Sequence, residues 1–261
     1  MRITTLSVTP VKGFGLHHPE RIQVGPRGVV GDRRFFMVDD DDRLLSVKRN
    51  GAFAGARAEY DDDQRTLSLR GDGLDLSGAV EVDRHVDADF FGKRVVSARA
   101  VLGPWSEALS DHAGERVRLV EAQEENAACD LEPMTLLGHG SLDRLTEQAG
   151  VALDPRRFRM NVEFTGADAH AEDEWEGQTI HVGTAVLRVG GPVKRCATIT
   201  RNPDTGVADH PTLRDIKDYR GVQQAERGNG IYFGVYARVL RPGVIEVGDT
   251  VQLAAFDEAQ V

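Results

Sequence analysis

Apolar and polar positions alternate with a period of two over much of the chain, and that spacing predicts β-strands. Residues 3–11 are β-branched and alternating, and Pro10-Val11-Lys12-Gly13-Phe14-Gly15 then marks a turn. Further short apolar runs at 34–38, 58–60, 66–69 and 95–102 extend the strand pattern through the first hundred residues. The last third returns to it at 184–189, 230–240, 243–249 and 250–253. A helical period occurs in three places: 104–112, 141–147 and 212–219. Ser141, after the glycine-rich Gly138-His139-Gly140, reads as the N-cap of the second. Many short strands with few helices predict an α+β chain that is predominantly β and barrel-like.

The polar stretch 121–126 suggests a division into an N-terminal β-rich region, 1–122, and a second domain, 123–261, with early strands shared between them. The acidic runs Asp39-Asp40-Asp41-Asp42 and Asp61-Asp62-Asp63 lie between strand patterns and read as solvated hairpin tips. Neither has the spacing of a calcium-binding loop.

Composition narrows the class. The chain has 261 residues, 40% hydrophobic and 28% charged, which suits a folded protein with a sizeable core. Its net charge of -10 repels phosphate backbones and argues against nucleic-acid partners. No stretch of about 20 apolar residues predicts a membrane span, and the N-terminus has no signal-peptide core. These features predict a cytoplasmic protein without membrane contact. Two cysteines, Cys129 and Cys196, exclude a disulfide framework and any four-cysteine metal site.

Among the 32 basic residues only five are lysine. Compositional bias accounts for most of that imbalance, yet arginine is the side chain suited to bidentate recognition of phosphate and carboxylate. Arg156, Arg157 and Arg159 cluster before a strand, Arg33 and Arg34 open another, and Lys12 lies in a tight turn. Gly138-His139-Gly140-Ser141 leads into a helix whose free N–H groups favour an anion. Each is also the kind of feature a solvated surface carries. A phosphate-bearing cofactor gives them one purpose.

Cys196 carries the sharpest chemistry. It follows Gly190-Gly191-Pro192-Val193-Lys194-Arg195, with a strand before the turn and a second strand expected after the cysteine. The adjoining cations favour the thiolate, which is a nucleophile or a soft metal ligand. The alternative is a small buried apolar residue, the usual state of free cysteine. No histidine is placed by sequence as a base for it, His210 being the nearest downstream, and no His-x-x-x-His or Cys-x-x-Cys pair predicts zinc.

The segment Arg195-Cys196-Ala197-Thr198-Ile199-Thr200-Arg201-Asn202-Pro203-Asp204-Thr205-Gly206 resembles the signature of MOSC-domain proteins. The likeness is greatest to the branch of the mitochondrial amidoxime-reducing component and its bacterial relatives. Val8-Thr9-Pro10-Val11-Lys12-Gly13, Gly31-Asp32-Arg33-Arg34-Phe35-Phe36, Phe158-Arg159-Met160-Asn161, Ala171-Glu172-Asp173-Glu174-Trp175 and Val247-Gly248-Asp249 resemble family segments in the same order. Met160 stands where the family usually has proline, Gly13 where serine is frequent, and Lys194 where a small polar residue is common.

The resemblance implies a MOSC β-barrel domain with an N-terminal MOSC β-region and a molybdenum cofactor, molybdopterin. By position, Cys196 is the implied thiolate ligand. Arg159 and Arg195 hold the cofactor, with Lys12, Arg34 and Ser141 lining the same site. Asn161 and Asp204 are candidates for supporting the site or the substrate pocket. The implied activity is reduction of N-hydroxylated or N-oxide compounds. Because the chain shows no flavin, haem or iron–sulfur motif, electrons are expected from a separate reductase or small redox protein. The competing readings are a cofactor or sulfur carrier using a Cys196 persulfide, and a binding module without turnover.

Overall fold

The computed structural model describes residues 1–226 and 228–254. Its centre is a seven-stranded sheet. In spatial order the strands are Arg2–Leu6, Val162–Thr165, Met134–Gly138, Tyr232–Arg241, Ala185–Lys194, Thr179–Val182 and Val251–Leu253. All neighbours are antiparallel except Met134–Gly138 with Val162–Thr165. The two edges nearly meet. Arg2 bridges Thr250, Ile3 N donates to Asp249 O at 2.9 Å, and Val251 N donates to Met1 O at 3.1 Å. The sheet therefore curls into a nearly closed barrel, which removes its open edges. Leu6, Leu136, Phe164, Ile180, Leu187 and Val235 fill it, and Trp175 stacks on Phe164.

Tyr232–Arg241 is the central strand, and its first six residues are all buried. A continuous apolar run is what a strand covered on both faces requires. Its outer face lies under helices α2 (His139–Ala149) and α3 (Thr212–Arg220). Leu142, Leu145 and Ile216 of these helices pack with Phe158, Met160, Ile199 and Phe233.

The first half of the chain builds smaller sheets. Phe35–Val38, Arg118–Ala122, Arg94–Val101 and Val82–Phe90 form a four-stranded sheet, and Arg57–Asp61, Thr66–Gly71 and Leu74–Ala79 form a three-stranded meander. Phe14, Phe35, Phe53, Leu67 and Leu69 fill the space between them, together with Trp105 and Leu109 of α1 (Trp105–Ala113). The sheets are tied across the chain. The first strand belongs to the barrel, and Arg21–Gly25 pairs with Gly243–Glu246 near the C-terminal end.

Three local expectations change. The run 3–11 is a strand only over Arg2–Leu6, because the chain then turns through bridges to His17 and Phe35. Ser141 does not cap α2. That helix begins at His139, after Gly138, and the Ser141 hydroxyl donates instead to Glu172 Oε1 at 2.7 Å. The strand before Cys196 does not stop at Gly190-Gly191-Pro192. It continues to Lys194 through bulges opposite Tyr232–Arg241, and a 3-10 turn, Ala197–Thr200, takes the place of the second strand. A bulge absorbs a proline that has no N–H to pair, so the sheet survives a sequence that reads as a break.

Asn161 is the polar tie between the two halves. Its Nδ2 donates to Ser7 O at 3.2 Å and Asp32 Oδ2 at 3.1 Å, and its Oδ1 accepts from Thr135 Oγ1 at 3.0 Å. The residue is buried. Replacing it with alanine strands several buried polar groups at once. Urea unfolding of Asn161→Ala is expected to show a loss of about 2–3 kcal/mol, against less than about 0.5 kcal/mol for a surface substitution such as Asp63→Ala.

Candidate functional site

The site forms where the turn 10–15, the Asp32-Arg33 corner, the segment 155–161 and the signature loop 195–206 meet. Asp32 anchors it. Its side chain is wholly buried, accepts from Thr9 N at 2.9 Å, and pairs with Arg33 Nη1. Arg33 is in the left-handed backbone region (φ 52°), and its Nη2 donates to Arg159 O at 3.2 Å. Burial works against the Arg33 charge, but Asp32 outweighs it and raises its pKa.

Arg159 has the same backbone conformation (φ 54°) at the end of the 3-10 turn Pro155–Phe158. That conformation swings its side chain away from Arg156 and Arg157. Its Nη2 donates to Phe14 O at 2.7 Å. Burial, with Arg33 beside it, pushes its pKa down to about 10, only partly offset by Asp32 and Asp130. Arg195 makes three hydrogen bonds to two carbonyls: to Phe233 O at 2.6 and 2.9 Å, and to Phe158 O at 3.0 Å. It also approaches Met160 Sδ at 2.8 Å and lies over the Phe158 ring. Burial pushes it too down to about 10. Both arginines stay charged at neutral pH, and neither has a carboxylate ion-pair partner among the described residues. Met160 thus supplies a soft contact to Arg195.

Lys12 Nζ pairs with Asp130 at 2.6 Å and lies near the Phe90 ring. Asp130 leaves 65% of its side chain uncovered, yet burial raises its pKa before Lys12, Arg33 and Arg159 bring it below the usual carboxylate range. Cys129, next along the chain, is buried, and burial pushes its thiol up.

Cys196 is exposed, with Sγ 3.3 Å from Thr198 Oγ1. Its loop is held from both sides. Arg156 grips both oxygens of Asp204 at 2.7 Å, and Arg157 pairs with Asp209 at 2.7 Å. Arg157, then Asn202, hold Asp209 down at about 2. On the other side the loop rests on the first half of the chain. A Cβ on Gly206 (φ 69°) would lie 1.9 Å from Gly51 O, and Arg201 Nη2 donates to Lys48 O at 3.0 Å.

The structure therefore brings together Lys12, Asn161 (through Asp32), Arg159 and Arg195, with Cys196 next to Arg195 and Asp204 the point at which Arg156 holds the loop. It places two expected residues elsewhere. Arg34 Nε donates to Glu121 at 2.7 Å and Nη1 to Asp62 at 2.8 Å, beside a cavity of about 880 Å³ shared with Arg65 and Arg99. Ser141 is enclosed with Glu172 and His170 beneath α2. Arg57 and Asp130 carry no signal in the sequence, and Asp32 and Arg33 stand out there only as part of the segment Gly31–Phe36, with Arg34 as the expected site residue. Adjacent arginines diverge here because Arg33 has positive φ, and sequence gives no sign of that. Among the described residues no three His, Cys, Asp or Glu side chains gather as a metal site. What the chain offers is one accessible thiol beside cations that lack carboxylates.

Fold and site together define a β-barrel protein with an exposed thiol beside partly buried arginines. The chain belongs to the MOSC family. Residues 123–252 match the MOSC domain, and residues 1–100 match the MOSC N-terminal beta barrel domain. It is 32% identical over 139 residues to mitochondrial amidoxime-reducing component 1 of Homo sapiens, covering 52% of this chain and 41% of that protein. It is 24% identical over 262 residues to the molybdenum cofactor sulfurase of Caenorhabditis briggsae, covering 96% of this chain and 36% of that protein. The chain thus spans about two fifths of each of these relatives. Among solved structures, the YUAD protein from Bacillus subtilis aligns over 98% of this chain and 96% of that one, at 12% identity and a TM-score of 0.47.

The Arg157–Asp209 pair gives a pH test of the loop. Asp209 is lowered in the folded protein, so its contribution is present above the unfolded carboxylate pKa of about 3.9 and is lost as pH falls toward about 2. The protection of residues 197–209 from hydrogen exchange, relative to the intrinsic rate at each pH, is expected to fall below about pH 4 in the wild type. Asp209→Asn is expected to show the low protection at all pH values.

Proposed function

We propose that this protein is a molybdenum-cofactor-dependent reductase of N-hydroxylated or N-oxide compounds, supplied with electrons by a separate reductase or small redox protein. The observation that carries the reading is an exposed Cys196 beside Arg195, with Arg195 and Arg159 both partly buried and without a carboxylate ion-pair partner among the described residues. Leaving a buried charge uncompensated is costly, and an anionic cofactor removes that cost. The donor set fits: a thiolate suits a metal already bound by dithiolene sulfur, and arginine suits a phosphate.

In this reading Cys196 is the metal ligand. Arg159 and Arg195 hold the phosphate or pterin, with Lys12 and Arg33 beside them. Asn161 acts through Asp32, which fixes Arg33. Asp204 acts through Arg156, which fixes the loop. When bound, the cofactor supplies the two-electron chemistry that removes the substrate's oxygen. The protein sets access, orientation and electrostatics. We assign residues 1–122 and 123–261 to two units that share the first strand, and we place the protein in the cytoplasm. Among the described residues no helix is long and apolar enough to cross a membrane.

The test is molybdenum and pterin content per chain, in protein purified from cells that make the cofactor. Near one molybdenum per chain is expected for the wild type, with roughly tenfold less or below in Cys196→Ala. Benzamidoxime is expected to oxidise a reduced artificial donor only with the wild type. Metal-free wild-type protein overturns the reading, and a Cys196 persulfide without turnover favours the sulfur-carrier alternative.

A further inference from the structure

Arg57 is a cation with no visible purpose in the fold. It opens the meander strand Arg57–Asp61, and its half-buried side chain crosses to the turn 13–15. A Cβ on Gly15 would lie 1.6 Å from Arg57 Nη1, so the guanidinium lies directly against the Gly15 backbone, in space that only glycine leaves. Gly15 N is itself fixed by Ala56 O at 2.8 Å. Nη1 is buried and has no hydrogen-bond partner. Among the described residues the guanidinium has no ion pair.

Arg159 reaches the same turn from the other side, through its bond to Phe14 O. Two guanidinium groups therefore converge on consecutive residues, Phe14 and Gly15, with no carboxylate between them. Asp204 feels the Arg57 charge, but both its oxygens are engaged by Arg156 at 2.7 Å. Asp32 is likewise engaged by Arg33 and Asn161. Two neighbouring cations left unpaired repel each other, and burial strengthens the repulsion. A bridging oxyanion converts that repulsion into two charge-assisted contacts.

We propose that Arg57 and Arg159 together bind one phosphate-class oxyanion at the Phe14–Gly15 turn, which makes Arg57 an anion-binding residue supplied by the first half of the chain. The identification of that oxyanion with the cofactor's phosphate rests on the function proposed above, whereas the binding of a free oxyanion does not. Because Arg57 opens a strand of the three-stranded meander and Arg159 ends the 3-10 turn that leads into the barrel strand Val162–Thr165, the bound anion holds the two halves together. The N-terminal β-region is then part of the binding site as well as a support for it.

The test uses the full-length protein made without cofactor, titrated with inorganic phosphate at constant ionic strength. Wild type is expected to show a saturable rise in melting temperature. Arg57→Gln and Arg159→Gln are each expected to weaken the apparent phosphate affinity about tenfold, while Arg34→Gln, on the other cavity, leaves it unchanged. Without phosphate, Arg57→Gln is expected to be at least as stable as wild type, since it relieves a repulsion. An arginine with a merely structural role gives the opposite sign. Phosphate dependence that is absent in the wild type, or unaltered in Arg57→Gln, overturns the proposal. So does a clear loss of phosphate-free stability in Arg57→Gln. Phosphate binding that depends on Arg57, in a protein that takes up no molybdenum, leaves this proposal standing and removes only the cofactor reading.

Discussion

The buried Asp32 carboxylate is the junction on which the site depends. A lone buried charge is costly, and it survives here because Thr9 N, Asn161 Nδ2 and the Arg33 guanidinium all donate to it. Those donors come from three separate stretches of chain. Satisfying one carboxylate thus fixes the turn after the first strand, the corner that opens the four-stranded sheet, and the strand at Val162–Thr165. Arg33 is then locked in place, and its contact with Arg159 O sets where the next arginine begins.

The second organising feature is how the protein divides its arginines. Arg156 and Arg157 are neutralised by Asp204 and Asp209, and Arg33 by Asp32. Arg159 and Arg195 are bonded only to carbonyls and a thioether, and Arg57 to neither kind of acceptor. A hydrogen bond to a carbonyl satisfies geometry without cancelling charge. The paired arginines hold the signature loop, and the unpaired ones leave a local positive field inside an acidic protein. That field, next to an accessible thiol, is the chemical character of the pocket.

Much of the fold was legible in the chain. The three helical periods correspond to α1, α2 and α3, and the alternating runs correspond to strands. The less visible strands were short or buried on both faces, where alternation disappears. The signature around Cys196 and the Phe158–Asn161 motif lie close together in the structure, through the bond of Arg195 to Phe158 O. The failures have local causes. Ser141 reads as a cap because its bond to Glu172 is made across 31 positions. Arg34 reads like Arg33 because one positive φ separates their directions. Arg57 carries no signal at all, since its importance lies in a distant glycine.

The sequence by itself determined a β-rich chain of the MOSC family type, one chemically distinctive cysteine, and a stock of arginines. Those follow from periodicity and residue chemistry, which are properties of neighbours in the chain. Only the tertiary structure decided which arginines pair with carboxylates and which remain without one. The physical reason is that ion pairing acts over a few ångströms in space. The partners that neutralise Arg156 and Arg33, or fail to neutralise Arg57 and Arg159, are brought within that range only when the barrel closes and the two halves meet.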